Sequence, residues 1–323
     1  MIWLWIGFLV FVGVMLALDL GVFHKKASVV STKEALVWTF FCVVLALLFN
    51  AAIYPMYEYH WLGVGLAEGA EPNGREAALK FFTGYIVEQS LSLDNVFIIA
   101  VIFNYFCVPA IYQHRALFWG ILGAIVMRGA MILAGSALIH RFEWMIYVFG
   151  VLLILTAVKM LVVQTENLEP EKNPLVRLAR KLFRVTPCFV EDHFFVRLDG
   201  KWAVTPLLIV VLVIESTDVL FAVDSIPAIF AVTRDPFIVF TSNIFAILSL
   251  RSLYFAVAGM MTKFRYLKSS LVFVLAFVGV KMLLSHYYPI PTIVSLSVII
   301  GTLLVGVLAS MYAAGKKSVP PTE

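Results

Sequence analysis

The segments VEQSLSLDNVF (87–97) and VIESTDVLFAVDSIPA (213–228) decide how this chain folds. Both lie inside long apolar runs, and both place acidic side chains where the hydrocarbon of a bilayer is expected. The five acids are Glu88, Asp94, Glu215, Asp218 and Asp224. A charged side chain at the bilayer centre costs about 2.5–3.5 kcal/mol on insertion scales, so intramembrane acids indicate a functional site by default.

The composition excludes several classes of protein. The 323 residues are 62% hydrophobic and 14% charged, with a mean hydropathy of +0.97, which excludes a soluble globular protein and a disordered chain. The basic residues are scattered over short loops, so the net charge of +4 reflects membrane topology and not nucleic-acid binding. The three cysteines have no metal or redox spacing, and the six histidines lie at the ends of apolar runs or in loops. With no nucleophile–base constellation either, we expect no enzyme and no tightly bound cofactor.

The apolar runs predict an all-α polytopic membrane protein with about nine transmembrane helices. About 20 apolar residues are needed to cross the hydrocarbon. The runs are 2–23, 34–54, 81–106, 116–139, 142–163, 202–232, 236–261, 269–284 and 291–311. The first run lacks a basic segment before it, which predicts an uncleaved span and not a signal peptide.

The distribution of lysine and arginine predicts the orientation. With the N-terminus outside, the inner loops contain sixteen basic residues and the outer loops contain four. Positive charge accumulates on the cytoplasmic side of membrane proteins. We therefore predict an outer N-terminus and a cytoplasmic C-terminus.

One loop, 164–201, is long enough to have its own structure. Leu175, Leu178 and Leu182 follow a helical spacing with arginines and a lysine on the other side, which predicts an amphipathic helix on the inner leaflet. Asp199-Gly200 lies between apolar flanks, a pattern typical of a β-hairpin turn.

The chain contains an internal repeat. The matched pairs are Asp94 with Asp218, Arg128 with Arg251 and Lys159 with Lys281, at offsets of 124, 123 and 122. The segments predicted are a two-helix segment (1–80), a first repeat (81–163), the cytoplasmic loop (164–201), a second repeat (202–284) and a last helix with its tail (285–323). Each repeat has three spans, and an odd number forces the two copies into opposite orientations, as in many secondary transporters with a midplane site.

The side chains near the acids predict a divalent-cation site. The predicted metal ligands are Glu88, Asp94, Asn95, Glu215, Asp218 and Asp224, and the predicted supporting residues are Ser92, Thr217, Ser225, Asn243, Arg128 and Arg251. Carboxylate, amide and hydroxyl oxygens suit Mn²⁺, Mg²⁺ or Ca²⁺, whereas Cu⁺ and Zn²⁺ prefer thiolate or imidazole. This chemistry does not choose between manganese and magnesium.

Helical geometry separates two of these acids from the others. At 100° per residue Asp94 lies about 120° from Glu88, and Asp224 lies on the opposite side of the helix from Glu215. Pro227 removes a backbone hydrogen bond and could distort the helix enough to bring Asp224 back. We predict that the third and sixth spans meet near the bilayer centre and that the acids converge there.

The segments GYIVEQSLSLDNVF (84–97), IESTDVLFAVDSIPAIFAVT (214–233) and FTSNIFAILSLRSLYF (240–255) resemble the TerC family of integral membrane proteins. The similarity is strongest to its Alx-type branch of manganese exporters in the bacterial inner membrane. The resemblance implies Mn²⁺ export, a distant kinship to the lysine-exporter superfamily of inverted three-span repeats, and a metal-handling role for the five acids. The resemblance also indicates manganese as the transported ion, whereas the ligand chemistry does not distinguish manganese from magnesium.

Two other functions fit the same residues. Arg128 and Arg251 could pair with the acids to hold helices together in a membrane scaffold or assembly factor, or the cargo could be another divalent cation. In an exporter the arginines would neutralise the acids of the empty site, and proton antiport is a natural coupling. The partners expected are the cation and the lipid bilayer; no protein partner is predicted.

Overall fold

The computed structural model describes residues 2–21, 31–66, 71, 73–162, 173–198, 200–257, 266–285, 287–288 and 290–316. Within this part of the chain the fold is nearly all α-helical. The helices are α1 (Ile2–Gly21), α2 (Thr32–Glu58), α3 (Gly74–Tyr105), α4 (Ala110–Arg141), α5 (Met145–Val162), α6 (Pro174–Leu182), α7 (Pro206–Phe230), α8 (Pro236–Val257), α9 (Leu267–Leu284) and α10 (Thr292–Lys316). The strands are β1 (Arg184–Val185), β2 (Phe195–Leu198) and β3 (Lys201–Val204), and a 3₁₀ turn spans Trp61–Gly63.

The prediction of an all-α polytopic membrane protein is confirmed. Each of the nine apolar runs overlaps one helix. Among the described residues, seven helices are long and apolar enough to cross a membrane: α2, α3, α4, α5, α7, α8 and α10. Helix α1 is apolar over Ile2–Leu18, and α9 has 18 residues. The full count of nine spans therefore stays a prediction. Several of the basic residues behind the predicted orientation, among them Lys25, Lys26, Lys172 and Lys263, lie outside the described residues.

Helix α8 occupies the centre of the bundle. Every residue from Phe237 to Tyr254 is buried, and α8 contacts α1, α2, α3 and α4. Aromatic rings attach the N-terminal helices to it: Phe8 of α1 and Phe49 of α2 lie 5.9 and 4.8 Å from Phe245, measured between ring centroids. Such ring pairs stabilise packing beyond the apolar area that they bury.

Helices α5 and α9 pack closely through glycines. A Cβ added to Gly279 would lie 2.9 Å from the carbonyl oxygen of Gly150, so neither position has room for a side chain. Small residues allow this close approach of transmembrane helices. Because Gly150 lies early in α5 and Gly279 lies late in α9, the two helices run antiparallel. Lys159 and Lys281, each near the end of its helix, consequently lie at opposite ends of the bundle.

The first helices of the two predicted repeats, α3 and α7, also run antiparallel. Gly84 of α3 lies against Ile229, near the end of α7. Further along α3, Asn95 lines a cavity together with Asp218, in the middle of α7. An inverted repeat requires this opposed direction. That the two repeats superpose about an axis in the membrane plane stays a prediction.

The long loop forms a small module over residues 173–204. The predicted amphipathic helix is α6, whose Val176 and Ala179 are buried while Leu178 and Leu182 are exposed. The predicted hairpin is confirmed: β2 and β3 pair antiparallel with Leu198 opposite Lys201, and the turn contains Gly200 at φ +77°; Asp199 lies outside the described residues. The sequence did not predict β1, which pairs parallel with β3.

An ion pair anchors this module to α4. The guanidinium of Arg115 donates to the Asp192 carboxylate, and Arg115 also lies 5.2 Å above the ring centroid of Phe194. Partial burial disfavours the ionised form of Asp192, but hydrogen bonds from Arg115 and His193 outweigh it and lower its pKa below the ordinary value. The carboxylate of Asp192 is therefore ionised at neutral pH, which keeps the ion pair intact.

Candidate functional site

Arg128, on α4, is a buried arginine that binds two acids. Its Nη2 and Nε atoms donate to the two carboxylate oxygens of Asp218 on α7, at 2.8 and 3.1 Å. Its Nη1 donates to Glu88 Oε1 on α3. Arg128 and Glu88 are 1% and 0% exposed, so water does not screen these charges. We call Arg128, Glu88 and Asp218 the acid–arginine cluster.

Amides and a hydroxyl complete the shell of Arg128. Its Nη1 donates to Ser225 Oγ on α7 at 3.2 Å and to Asn243 Oδ1 on α8 at 3.5 Å. With the Asn95 amide oriented so that its nitrogen donates to the Leu91 carbonyl oxygen, Asn95 Oδ1 accepts from Arg128 Nη2 at 3.3 Å. The polar groups around the guanidinium of Arg128 on α4 therefore come from three other helices, α3, α7 and α8.

Glu215 is a third acid beside the cluster. It lies one turn before Asp218 on α7, and the charge of Asp218 acts on it directly. Its carboxylate packs against the backbone of Gly123 on α4, where an added Cβ would overlap the carboxylate oxygens. Gly123 thus makes room for a charged group at the α4–α7 interface.

A small cavity lies beside these acids. It has a volume of about 20 Å³, and its polar lining is Asn95, Thr217 and Asp218. One water molecule needs roughly 10–15 Å³ of such space, so the cavity holds about one water or a comparably small species. Asp218 is therefore both a partner of Arg128 and a carboxylate accessible from the cavity.

One oxygen of the cluster has no hydrogen-bond partner. Among the described residues, Glu88 Oε2 is buried and accepts no hydrogen bond. Ser92 Oγ and Asn243 Nδ2 are also buried without a hydrogen-bond partner. A buried polar atom without a partner costs about 1–3 kcal/mol, and more when it is charged. A proton or a cation bound at Glu88 would remove this cost.

The structure does not bring two of the predicted acids into the cluster. Asp224 accepts a hydrogen bond from Thr156 Oγ1 on α5 at 2.7 Å, on the other side of α7. The distortion predicted before Pro227 is absent, since α7 is one helix from Pro206 to Phe230 and keeps Asp224 opposite Glu215. Asp94 is half-buried, and the cation that acts on it is Lys268 at the start of α9. The predicted convergence of all five acids is therefore wrong for Asp94 and Asp224.

The remaining predicted residues have different surroundings. Ser92 is buried one turn after Glu88, and the Thr217 hydroxyl donates to the Ile214 carbonyl at 2.8 Å. Arg251 is buried in α8. Sequence reasoning missed Gly123 and Thr156, although a polar Thr156 in an otherwise apolar run was a signal that α5 faces a polar partner.

The fold and this cluster define a class: a polytopic helical membrane protein with ionised groups paired inside its bundle. The chain belongs to the TerC family of integral membrane proteins, whose family model matches residues 73–318.

Several relatives match over nearly the whole chain. An uncharacterised membrane protein of Myxococcus xanthus, STKORF319, is 51% identical over 308 residues, covering 95% of this chain and 92% of that protein. A protein of Escherichia coli (strain K12) named as a candidate membrane-bound redox modulator, Alx, is 47% identical over 305 residues, covering 93% of this chain and 92% of the relative. An uncharacterised membrane protein of Rickettsia bellii is 42% identical over 307 residues, covering 95% and 96%. No solved structure matches the chain.

Proposed function

We propose that the protein is a secondary transporter of the cell inner membrane that exports Mn²⁺, with the acid–arginine cluster and Glu215 as its cation site. The observation that carries this proposal is Glu88: a fully buried carboxylate with one oxygen on Arg128 and the other without a donor in the part of the chain that the structure describes. In an ion pair that only stabilised the fold, we would expect each buried carboxylate oxygen to have a hydrogen-bond donor.

The charges of the site suit a divalent cation. Glu88 and Asp218 bind the guanidinium of Arg128, and Glu215 lies beside Asp218, so the four groups together carry two negative charges when all are ionised. The available ligands are oxygens from carboxylates, Asn95 and Thr217, the set that Mn²⁺ and Mg²⁺ prefer. The choice of manganese rests on the resemblance to Alx-type exporters.

Arg128 acts as the counter-charge of the empty site. For the cation to bind both oxygens of Asp218, the guanidinium must leave the position where it is held at 2.8 Å. Exchange of one cation for another keeps the buried charge nearly constant, so the step avoids leaving the acids uncompensated. Protons taken up by Glu88 and Glu215 after release of the metal would couple export to proton entry.

The other two acids lie level with the two ends of the cluster. Asp94 follows Glu88 by six residues on α3, and Asp224 follows Asp218 by six residues on α7. At 1.5 Å per residue each lies about 9 Å further along its helix. Because α3 and α7 are antiparallel and Asn95 and Ser225 both contact Arg128, Asp94 lies level with Asp218 and Asp224 lies level with Glu88. Each end of the cluster therefore has one acid from α3 and one from α7.

Metal flux tests the proposal. Inside-out vesicles containing the protein should accumulate Mn²⁺ faster than vesicles without it, and an acidic vesicle interior should accelerate uptake. Mg²⁺, Ca²⁺ and Zn²⁺ should each compete poorly. Uptake of Mg²⁺ alone would mean that the site is correctly assigned but that the transported ion is magnesium. Uptake of none of the four ions would overturn the proposal.

The bidentate pair between Arg128 and Asp218 favours a second function, a scaffold held together by intramembrane ion pairs. A scaffold has no need for a further acid, Glu215, that takes no part in the ion pairs of Arg128 with Glu88 and Asp218. It would continue to support assembly of its partners when Glu215 is replaced by Gln, whereas an exporter would lose transport.

Gly123→Ala should reduce Mn²⁺ transport without reducing the amount of folded protein. The new Cβ would overlap the Glu215 carboxylate and displace it from the site. Alanine is favoured over glycine in a helix by about 1 kcal/mol, so α4 itself should not suffer. Gly301→Ala, where nothing lies within 4 Å of the new Cβ, is the matched control. Normal transport by Gly123→Ala would show that the position of Glu215 is unimportant.

The predicted orientation places the start of α3 outside. In a variant with Cys107 and Cys188 replaced by serine, a cysteine at the exposed position Glu76 should react with a membrane-impermeant reagent added to intact cells. A cysteine at the exposed position Lys181 should react only after the membrane is opened. The reverse pattern would contradict the topology. Glu71 is unsuitable for labelling because it is buried.

A further inference from the structure

A second and larger cavity opens at the end of the bundle where α3 and α5 begin and α7 and α9 end. Its volume of about 420 Å³ lies within the range of roughly 300–1,000 Å³ found for small-molecule sites. No residue of the acid–arginine cluster lines it. The export proposal therefore leaves this cavity without a role.

The charged lining of this cavity is mainly basic. Among the described residues, Lys80, Arg234 and Lys281 line it together with one acid, Glu71. Glu71 is already used: Lys80 Nζ donates to its Oε2 at 2.6 Å, and Thr233 Oγ1 donates to its Oε1 at 2.5 Å. Pairing Glu71 with Lys80 leaves the positive charges of Lys281 and Arg234 without an acid in the described lining of the cavity.

Lys281 is the informative residue. It is half-buried on α9, and the charge that acts on it is the like charge of Lys80. Among the described residues it forms no ion pair with an acid. Two ammonium groups at one cavity repel each other, and partial burial makes the repulsion stronger than in water. An anion between them would turn this unfavourable arrangement into a favourable one.

We propose that this cavity binds a phosphate group through Lys281, Arg234 and Lys80, and we call it the basic vestibule. A phosphate group carries up to about two negative charges at neutral pH, which matches the two cations left by the Glu71–Lys80 pair. Arginine offers a planar fork of donors that fits two phosphate oxygens, and a lysine offers a compact charge. The phosphate is either free in solution or the headgroup of an anionic lipid. Basic pockets between transmembrane helices bind anionic headgroups, and free phosphate offers the same phosphate oxygens.

The first arm of the test uses lipid-free protein in detergent without divalent cations. Inorganic phosphate should raise the thermal midpoint of unfolding more than sodium chloride of equal ionic strength. Lys281→Gln and Arg234→Gln should each weaken this binding by about tenfold or more, the effect of losing one charged hydrogen bond. Lys159→Gln, the repeat counterpart of Lys281 at the opposite end of the bundle, should leave it unchanged. Lys281→Arg should retain binding, which separates loss of charge from loss of folding.

The second arm uses nanodiscs of phosphatidylglycerol and of phosphatidylcholine. If the source is a lipid headgroup, phosphatidylglycerol should stabilise the wild-type protein more than phosphatidylcholine, and Lys281→Gln should remove the difference. Stabilisation that depends on Lys281 in either arm supports phosphate binding at the basic vestibule. The arm in which it occurs shows whether the ligand is free phosphate or a lipid headgroup. The proposal would be overturned if phosphate and chloride had equal effects and the two lipids also had equal effects. It would also be overturned if Lys159→Gln lost as much stabilisation as Lys281→Gln. Since no transported metal is involved, this outcome is independent of the export proposal.

Discussion

Arg128→Ala should remove most of the folded protein from the membrane. The change leaves Glu88 and Asp218 buried without their counter-charge. Breaking a buried ion pair by removing one partner costs about 3–5 kcal/mol, a large part of the roughly 5–15 kcal/mol by which a typical domain is stable. The measurement is the yield of monodisperse protein after detergent extraction, together with its thermal midpoint.

Removing the acids as well should reverse much of this loss. The triple variant Arg128→Ala, Glu88→Gln, Asp218→Asn contains no uncompensated charge at the cluster, so its yield should recover while transport remains absent. Arg141→Ala, at the exposed end of the same helix, should have no effect and serves as the control. A wild-type yield of Arg128→Ala alone would mean that the acids are neutral in the folded protein.

Asp218→Asn should abolish Mn²⁺ uptake into inside-out vesicles while the protein folds normally. Folding is retained because Arg128 keeps Glu88 as its counter-charge. Transport is lost because Asp218 is the acid that lines the small cavity. Mutating a residue that only hydrogen-bonds to a metal ligand typically costs about 10–100-fold in affinity, so loss of a ligand itself should cost at least about 100-fold.

Two further variants make this result specific. Glu88→Gln should have the same effect, since Asp218 then remains as the partner of Arg128. Glu76→Gln, an exposed acid in the first turn of the same helix, should transport normally. Normal transport by both Asp218→Asn and Glu88→Gln would leave the scaffold function as the better explanation of the ion pairs.

Asp94 distinguishes the family resemblance from the observed geometry. The resemblance implies a metal-handling role, yet the cation whose charge acts on Asp94 is Lys268 of α9 and not Arg128. If Asp94→Asn also stops Mn²⁺ uptake with normal folding, the cation passes Asp94 on its way to or from the cluster. Normal uptake by this variant would restrict the site to Glu88, Asp218 and Glu215.

Much of the fold follows from local patterns in the chain. Long apolar runs predict helices because the backbone inside a bilayer has to satisfy its own hydrogen bonds, and each predicted run overlaps a helix. The hairpin followed from a turn dipeptide between apolar flanks, and α6 followed from a helical spacing of leucines. The separation of Asp224 from Glu215 was also predictable, because it requires only a regular helix.

The partners of the acids could not be read from the chain, because they depend on how helices distant in sequence rotate against each other. Arg128 lies 40 residues from Glu88 and 90 from Asp218, and no local pattern selects that pairing over one with Arg251. The same holds for Asp224, which is 68 residues from Thr156.

The sequence by itself determined that this is a membrane protein of the TerC family with acids inside its spans, since hydropathy and the repeated acidic motif are local properties. Only the tertiary structure decided which acids share a guanidinium, which carboxylate oxygen stays unpaired, and which lysines face each other across a cavity. Each of these depends on side chains from separate helices meeting within hydrogen-bond distance, and that distance is set by packing.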